Sequence, residues 1–147
     1  MKTLVIRMGI RHTIRAIAGN ADTAGGIDPC PTLEFFAEQR AAWKSEMIKL
    51  SALLTDIADN GPRYDDGKSK KLPGTDGLFE FRSSPCGLRV FWFWDDGGLI
   101  ICTHGCVKDS QKTPASEIER AQKKMRDYFE AKRTGALQHG HQKRRNG

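Results

Sequence analysis

The alternation of apolar and polar residues in the first part of the chain predicts strand structure followed by a loop. Ile10–Ala18 is rich in β-branched residues that alternate loosely with polar ones, which indicates a strand, although its isoleucines also fit the spacing of a helix. Met1–Arg7 is either a second short strand or an upstream extension. Glycine and proline interrupt the pattern over Gly19–Pro31, which is therefore predicted to be a loop.

A long helical pattern follows this loop. Apolar residues recur at helical spacing between Thr32, a favourable N-cap residue, and the terminating pair Gly61-Pro62. A single helix of this length would extend about 43 Å, which is too long for a small domain. We therefore expect a break near Gln39–Arg40 and two helices that pack as a hairpin. The polar stretch Arg63–Gly77 is predicted to be a loop.

Three strands and a final helix are predicted in the second half of the chain. Leu78–Arg82, Leu88–Trp94 and Leu99–His104 are separated by turn-forming residues and should form an antiparallel meander. Thr113-Pro114 begins the last helix, whose apolar face continues to about Lys132. The predicted order is strand, two helices, three strands and helix. It indicates an α+β domain with its helices on one face of a small sheet.

The length of 147 residues is that of one ordinary domain. We expect residues 10–133 to form it, residues 1–9 to be an N-terminal extension and residues 134–147 to be a disordered basic tail. No stretch is apolar enough to cross a membrane, and arginines interrupt any secretory signal near the N-terminus. A cytoplasmic location is therefore expected, where the four cysteines stay reduced.

Charge is distributed unevenly along the chain. The net charge is +4 over residues 1–16, −4 over residues 17–103 and +6 over residues 104–147, and the whole chain carries +6. A basic C-terminal third indicates an anionic partner such as nucleic acid. A solvated helix face followed by a basic tail explains the same charge equally well.

Two patterns suggest binding chemistry but also have ordinary explanations. Cys102, His104 and Cys106 alternate along a strand, so they can share a face and bind a metal only where the strand is regular. Buried cysteines without a metal are favoured, because the paired spacing of a zinc site is missing. The aromatic run Phe91–Trp94 suits base stacking, but packing against helices is favoured for at least one of its two faces.

Basic residues around the predicted meander form the candidate functional site. They lie at the ends of the strands and in the segments that flank them: Lys70, Lys71, Arg82, Arg89, Lys108 and Lys112. Such cations suit RNA cleavage in which a 2′-hydroxyl attacks the adjacent phosphate, since the protein then has to hold the strand and stabilise the phosphorane. The alternative is that Arg82 pairs with acids on the sheet and the lysines are solvated.

Four short motifs together carry a family resemblance. The patterns are G-L-x-E-x-R at 77–82, R-V-x-x-F at 89–93, H-G-x-x-K at 104–108 and K-T-P at 112–114. This combination resembles the phage-derived HigB/RelE-type toxins of type II toxin–antitoxin systems. The resemblance covers roughly residues 10–130. It implies a RelE/ParE-like fold and cleavage of mRNA, often on the ribosome, with no metal or other cofactor. It also implies neutralisation by a cognate helix-turn-helix antitoxin.

The resemblance also implies roles for individual residues. Phosphate handling in catalysis falls to Arg82, Arg89, Lys108 and Lys112. The predicted RNA-binding set is Lys71 and His104, from the resemblance, together with Lys68 and Lys70, which join Lys71 as three cations in a polar loop. Glu80 is expected to pair with Arg82 rather than to act as a general base.

The sequence departs from the family pattern at two positions. Cys106 stands where an aromatic residue is usual, and Asp109 stands where a lysine is usual. Two other functions are therefore kept as alternatives. One is a RelE/ParE-fold inhibitor that binds its target without cleaving anything, and the other is an inactive prophage remnant that only binds an antitoxin.

Overall fold

The structure, a computed structural model, describes residues 1–19, 26–108 and 113–140. Within these ranges the chain forms three helices and one seven-stranded sheet, which confirms the predicted α+β class. None of these helices is both long and apolar enough to cross a bilayer. The elements in chain order are β1 (Lys2–Met8), β2 (Thr13–Ala18), α1 (Pro31–Ala42), α2 (Lys44–Asn60), β3 (Ser69–Lys71), β4 (Leu78–Arg82), β5 (Leu88–Asp95), β6 (Leu99–Val107), α3 (Ala115–Thr134) and β7 (Gln138–His139).

The sheet has the strand order β3-β4-β5-β6-β2-β1-β7. Strands β3 to β6 are antiparallel neighbours, and β4, β5 and β6 correspond to the predicted meander. Strand β2 pairs antiparallel with β1 and parallel with β6, so the N-terminal strands extend the same sheet. The edge strand β3 and the β4–β5 turn therefore lie at the end of the sheet that is farthest from β1 and β7.

Helices cover both faces of the sheet, so the prediction that they share one face is wrong. On one face, Leu50 of α2 belongs to a buried cluster that includes Trp92 of β5. On the other face, Tyr128 of α3 packs edge-on against Phe93 of β5, with ring centroids 5.1 Å apart. Because side chains alternate along a strand, the aromatic run of β5 supplies large apolar groups to both layers.

Packing also explains the aromatic run itself. Phe91, Trp92 and Phe93 are fully buried, and Trp94 packs at the edge of the core. The rings of Phe91, Trp92 and Phe93 therefore have no face open to a nucleic-acid base. The base-stacking interpretation does not fit these three rings, and packing accounts for them on both faces of the strand.

The break in the helical region lies slightly later than predicted. Trp43 separates α1 from α2 and has a non-helical backbone, with φ −142° and ψ 66°. Its N–H still donates to the Gln39 carbonyl at 2.8 Å, and its carbonyl accepts from the Met47 N–H at 3.0 Å. The prediction of two helices in place of one is confirmed, and α2 ends at Asn60 before Gly61.

Three segments outside the predicted domain or its elements contribute strands. The N-terminal segment forms β1, and the polar stretch predicted as a loop contains β3. Residues 134–140 are not a disordered tail, because β7 pairs parallel with β1 and Arg15 Nη1 donates to the Gly140 carbonyl at 2.6 Å. The rest of the predicted tail, residues 141–147, lies outside the described residues.

Candidate functional site

The β4–β5 hairpin places two of the predicted site residues opposite each other. Arg82 of β4 is the cross-strand partner of Arg89 of β5, and Arg89 is in turn opposite Cys106 of β6. Residues that are directly opposed across antiparallel strands point to the same face, here the face that carries α3. The two arginines are thus neighbours, as the strand assignment predicted, but their surroundings differ.

Arg89 is buried and bonded to the backbone of the β4–β5 turn, residues 83–87. Its Nη1 donates to the Ser84 carbonyl at 2.8 Å and its Nη2 donates to the Pro85 carbonyl at 2.6 Å. Burial lowers the pKa of the guanidinium, and the nearby Glu80 carboxylate partly offsets that effect. Arg89 therefore holds the turn, and the expectation of an exposed phosphate ligand does not fit its position.

Arg82 is the more accessible of the two arginines. Its side chain is 21% exposed, and its Nε and Nη2 both donate to Glu80 Oε1 at 3.0 Å. Glu80 is itself buried, and its second oxygen accepts a hydrogen bond from Thr113 Oγ1 at 3.0 Å. Glu80 is therefore the partner of Arg82, as expected from the sequence, and it also fixes the segment that leads into α3.

Two lysines complete a group of cations around this carboxylate. Lys108 follows β6 and is buried, and its backbone N–H donates to the Gly87 carbonyl at 2.8 Å. Its pKa is lowered by burial and then by repulsion from Arg89 and Arg82. Lys70 of β3 is exposed and lies directly opposite Glu80. We call Arg82, Arg89, Lys108 and Lys70 the basic cluster; its positive charges exceed the single negative charge of Glu80 and attract anions.

The other predicted residues lie around the basic cluster or outside the described ranges. Lys68 is exposed, and its carbonyl accepts from the Arg82 N–H at 2.9 Å. Lys71 is exposed and opposite Phe79, so it points to the face that carries α1 and α2. Lys112 lies outside the described residues, and its proposed role stays a prediction.

His104 has a packing role. It is buried on the α3 face, and its Nε2 lies 3.1 Å from Glu117 Oε2 in the first turn of α3. Burial, followed by the charge of Arg120, lowers the pKa of His104 to about 4, so the ring is neutral near pH 7. The predicted RNA-binding role does not fit a buried, neutral imidazole.

We expect His104 to make the fold sensitive to mild acid. Its pKa is lower in the folded chain than in the unfolded chain, so unfolding takes up a proton below about pH 6.5. The stability that depends on a neutral ring should be complete above that pH and should fall by about 1–3 kcal/mol as the pH drops toward 4. Urea unfolding of the wild type and of His104→Gln at several pH values measures this, because glutamine does not titrate. Parallel pH profiles for the two proteins would contradict the assignment.

Sequence patterns missed a carboxylate of α2 that supports the β4–β5 turn through hydrogen bonds. Glu46 of α2 is buried, and its Oε1 accepts hydrogen bonds from Ser83 Oγ at 2.9 Å and from Ser84 Oγ. Gly87 passes so close that a Cβ atom there would collide with this carboxylate oxygen. A single carboxylate on a helix gives no sequence signal for such a contact, which depends on where α2 crosses the sheet.

The cysteine and histidine pattern of β6 does not form a metal site. The register of β5 and β6 shifts between Phe91 and Trp92, which breaks the alternation. Cys102 consequently packs in the core beneath α1 and α2, whereas His104 contacts Glu117 on the other face. Among the described residues, no three His, Cys, Asp or Glu side chains are grouped as metal ligands are.

The four cysteines differ widely in exposure. Cys30 and Cys102 are buried, Cys106 is half-buried and Cys86 is exposed in the β4–β5 turn. Burial, together with the nearby carboxylates of Glu117 and Glu80, raises the pKa of Cys106 to about 12. Burial also raises the pKa of Cys102. Cys86 is therefore the exposed thiol of the four, and it lies in the turn whose carbonyls bind Arg89 of the basic cluster.

Comparisons with known proteins place the chain in a family. The model described as "Phage derived protein Gp49-like (DUF891)" matches residues 37–126, which include α2 and strands β3 to β6. The structure of the YoeB dimer from Staphylococcus aureus is similar at 24% sequence identity and a TM-score of 0.41, covering 52% of this chain and 85% of that one. No curated protein matches the sequence. The family match confirms the resemblance that the motifs indicated.

Proposed function

Because the chain belongs to the Gp49-like family of phage-derived proteins, we propose that it is the toxin of a type II toxin–antitoxin system and cleaves mRNA as an endoribonuclease. On the same ground we propose a RelE/ParE-like fold, action on messages held by the ribosome in the cytoplasm, and neutralisation by a cognate helix-turn-helix antitoxin. The proposed reaction needs no metal or other cofactor.

The basic cluster is the observation that supports this proposal. In the reaction, the 2′-hydroxyl loses its proton and attacks the adjacent phosphorus, and the 5′-oxygen leaves and takes up a proton. Negative charge builds on the non-bridging phosphate oxygens meanwhile. Arg82, Lys108 and Lys70 supply positive charge at one point of the sheet, and Glu80 occupies only some of the N–H groups of Arg82. Cations fixed in place before the reaction stabilise such a transition state without reorganisation.

Arg89 contributes to the proposed site by holding the β4–β5 turn in place. Its bonds to the Ser84 and Pro85 carbonyls fix the turn that connects the strands bearing the cations. Glu80 orients the Arg82 guanidinium in the same way. We therefore propose Arg82 as a phosphate-binding group, together with Lys112, four positions after Lys108 in the sequence. Lys108 is buried and adds positive charge to the site, and Arg89 is a positioning residue.

The first test is expression of the intact chain in a bacterium, with mapping of RNA 5′ ends after induction. The proposal expects growth arrest and new 5′ ends within messages, both prevented by co-expression of the antitoxin. Purified protein with mRNA, with and without ribosomes, then determines the ribosome requirement. Growth arrest without new 5′ ends would instead indicate the non-catalytic inhibitor. Normal growth at high expression would contradict an active toxin and leave the antitoxin-binding remnant.

Lys68, Lys70 and Lys71 should bind RNA through charge alone. Changing all three to alanine should weaken binding of single-stranded RNA and reduce the dependence of log Kd on log salt by about 0.7 for each phosphate that is no longer neutralised. The free energy of unfolding should change by no more than about 0.5 kcal/mol per site, because the side chains are exposed. Binding titrations at several salt concentrations, together with thermal melts, measure both effects.

A second triple variant provides the control for this prediction. Lys44, Lys123 and Arg126 are exposed cations on helices, and changing them to alanine alters the net charge equally. This control should weaken binding far less than the change in β3 and its flank. An unchanged salt dependence in the Lys68, Lys70 and Lys71 variant would show that these lysines do not contact phosphates.

A further inference from the structure

Tyr64 is an exposed aromatic residue whose ring packs on one side against another aromatic ring. It precedes β3 and is 51% exposed. Its ring lies against Phe79 of β4, with centroids 5.8 Å apart, and Phe79 stacks on the buried Trp92 at 4.6 Å. Partial burial raises the pKa of the phenol, and the Trp94 side chain offsets part of that effect. The Tyr64 ring is tilted by 41° against Phe79 and is thus the outermost member of an aromatic cluster that begins in the core.

Two exposed lysines stand beside this ring. Lys70 and Lys71 line a surface pocket of about 390 Å³ together with Tyr64 and Phe79. Successive residues of a strand point to opposite faces, so Lys71 points to the side of Phe79 and Lys70 points to the side of Glu80. The edge strand β3 therefore carries one cation beside the aromatic ring and one beside the basic cluster.

This arrangement has the chemistry of a site for a flexible polyanion with flat apolar groups. An apolar protein partner would gain nothing from two lysines beside the ring. A phosphate ligand without a flat apolar group would gain nothing from an aromatic face. Single-stranded nucleic acid matches both parts, because its bases stack on aromatic rings and its phosphates pair with cations. The ring is also already ordered, so less conformational entropy is lost when a base stacks on it.

We propose that Tyr64 stacks on a base of single-stranded RNA, while Lys71 and Lys70 bind phosphates on either side of the β3 edge. The RNA strand then crosses β3 from Tyr64 toward Glu80 and Arg82, which continues the path into the basic cluster. The inference rests on the proposed function in taking RNA as the substrate. It adds a base-binding position that accepts any base, since every base has an aromatic face.

The test measures the affinity of the full chain for a fluorescent 2′-O-methyl oligonucleotide, which lacks the attacking hydroxyl and cannot be cleaved. Tyr64→Ala and Tyr64→Leu should each weaken binding about tenfold with an unchanged salt dependence, because the stacking surface is removed while every charge remains. Tyr64→Phe should bind within about twofold of the wild type, since it keeps the aromatic face. The leucine variant retains an apolar side chain against Phe79, and a thermal melt verifies its fold.

Phe129 supplies the matched control, because it is an exposed aromatic residue on α3, and Phe129→Ala should leave RNA affinity unchanged. A Tyr64→Leu protein that binds as tightly as the wild type would overturn stacking and leave only the lysines. Equal weakening in the leucine and phenylalanine variants would assign the effect to the hydroxyl and also overturn it. Weaker antitoxin binding with RNA affinity intact would assign the ring to a protein interface and overturn it as well. If the wild type neither binds nor cleaves RNA, the proposed function fails together with this inference.

Discussion

Arg82→Gln should lower the rate of RNA cleavage by about 10²–10³-fold, the effect typical of removing one preorganised donor to a developing anion. Glutamine removes the charge and the planar fork of N–H groups that suits a phosphate. Its amide can still donate to the buried Glu80, so the free energy of unfolding should fall by only about 1 kcal/mol. Single-turnover cleavage of a short RNA and urea unfolding of the same preparations measure the two effects separately.

Arg133→Gln is the control for this experiment. Arg133 is also an arginine paired with a glutamate, since its Nη2 lies 2.6 Å from Glu130 Oε1, but it is exposed at the end of α3. Its replacement removes one charge without touching the basic cluster and should leave cleavage unchanged. A fully active Arg82→Gln protein would remove Arg82 from the proposed mechanism, and an equal decrease in both variants would point to net charge alone.

Arg89→Ala should cost both folding and activity. The substitution removes a buried cation, leaves the carbonyls of Ser84 and Pro85 without their donor and weakens the charge balance at Glu80. Breaking buried charged interactions of this kind costs about 3 kcal/mol or more. Arg89→Lys should recover little, because one ammonium cannot reach both carbonyls with the geometry of the guanidinium.

Unfolding in urea and cleavage per folded molecule distinguish this structural role from direct catalysis. At a temperature where Arg89→Ala is still folded, the variant should retain more activity than Arg82→Gln. An Arg89→Ala protein that is as stable as the wild type yet inactive would show that the guanidinium acts on the phosphate itself. That result would restore the role that the sequence resemblance implied.

The difference between the two arginines shows where sequence patterns stop being informative. The turn between two alternating strands was sufficient to predict that Arg82 and Arg89 are neighbours, because hairpin pairing is local. Both side chains point to the same face of the sheet, and the one that is buried is the one that the carbonyls of the turn bind. Likewise, the buried position of His104 depends on Glu117, which α3 brings across the sheet.

The same division between local and distant interactions applies to the fold. Periodicity was sufficient to predict α1, α2, α3 and the strands β4 to β6, because each of these elements carries its own apolar pattern. Strands β3 and β7 have three and two residues, too few for a pattern, and they form because β4 and β1 would otherwise be edges with unpaired backbone N–H and C=O groups. The second helical layer was not predicted, although Phe91 and Phe93 on one side of β5 and Trp92 on the other give both faces large apolar groups to bury.

The exposure of Cys86 determines where a chemical label will attach. Thiolates are the reactive form of cysteine, so Cys102 and Cys106, whose pKa values are raised by burial, react slowly near neutral pH, and Cys30 is enclosed in the core. A maleimide dye added to the native protein will therefore couple at the β4–β5 turn. Its emission will report on the turn that Arg89 holds, without any cysteine having to be engineered.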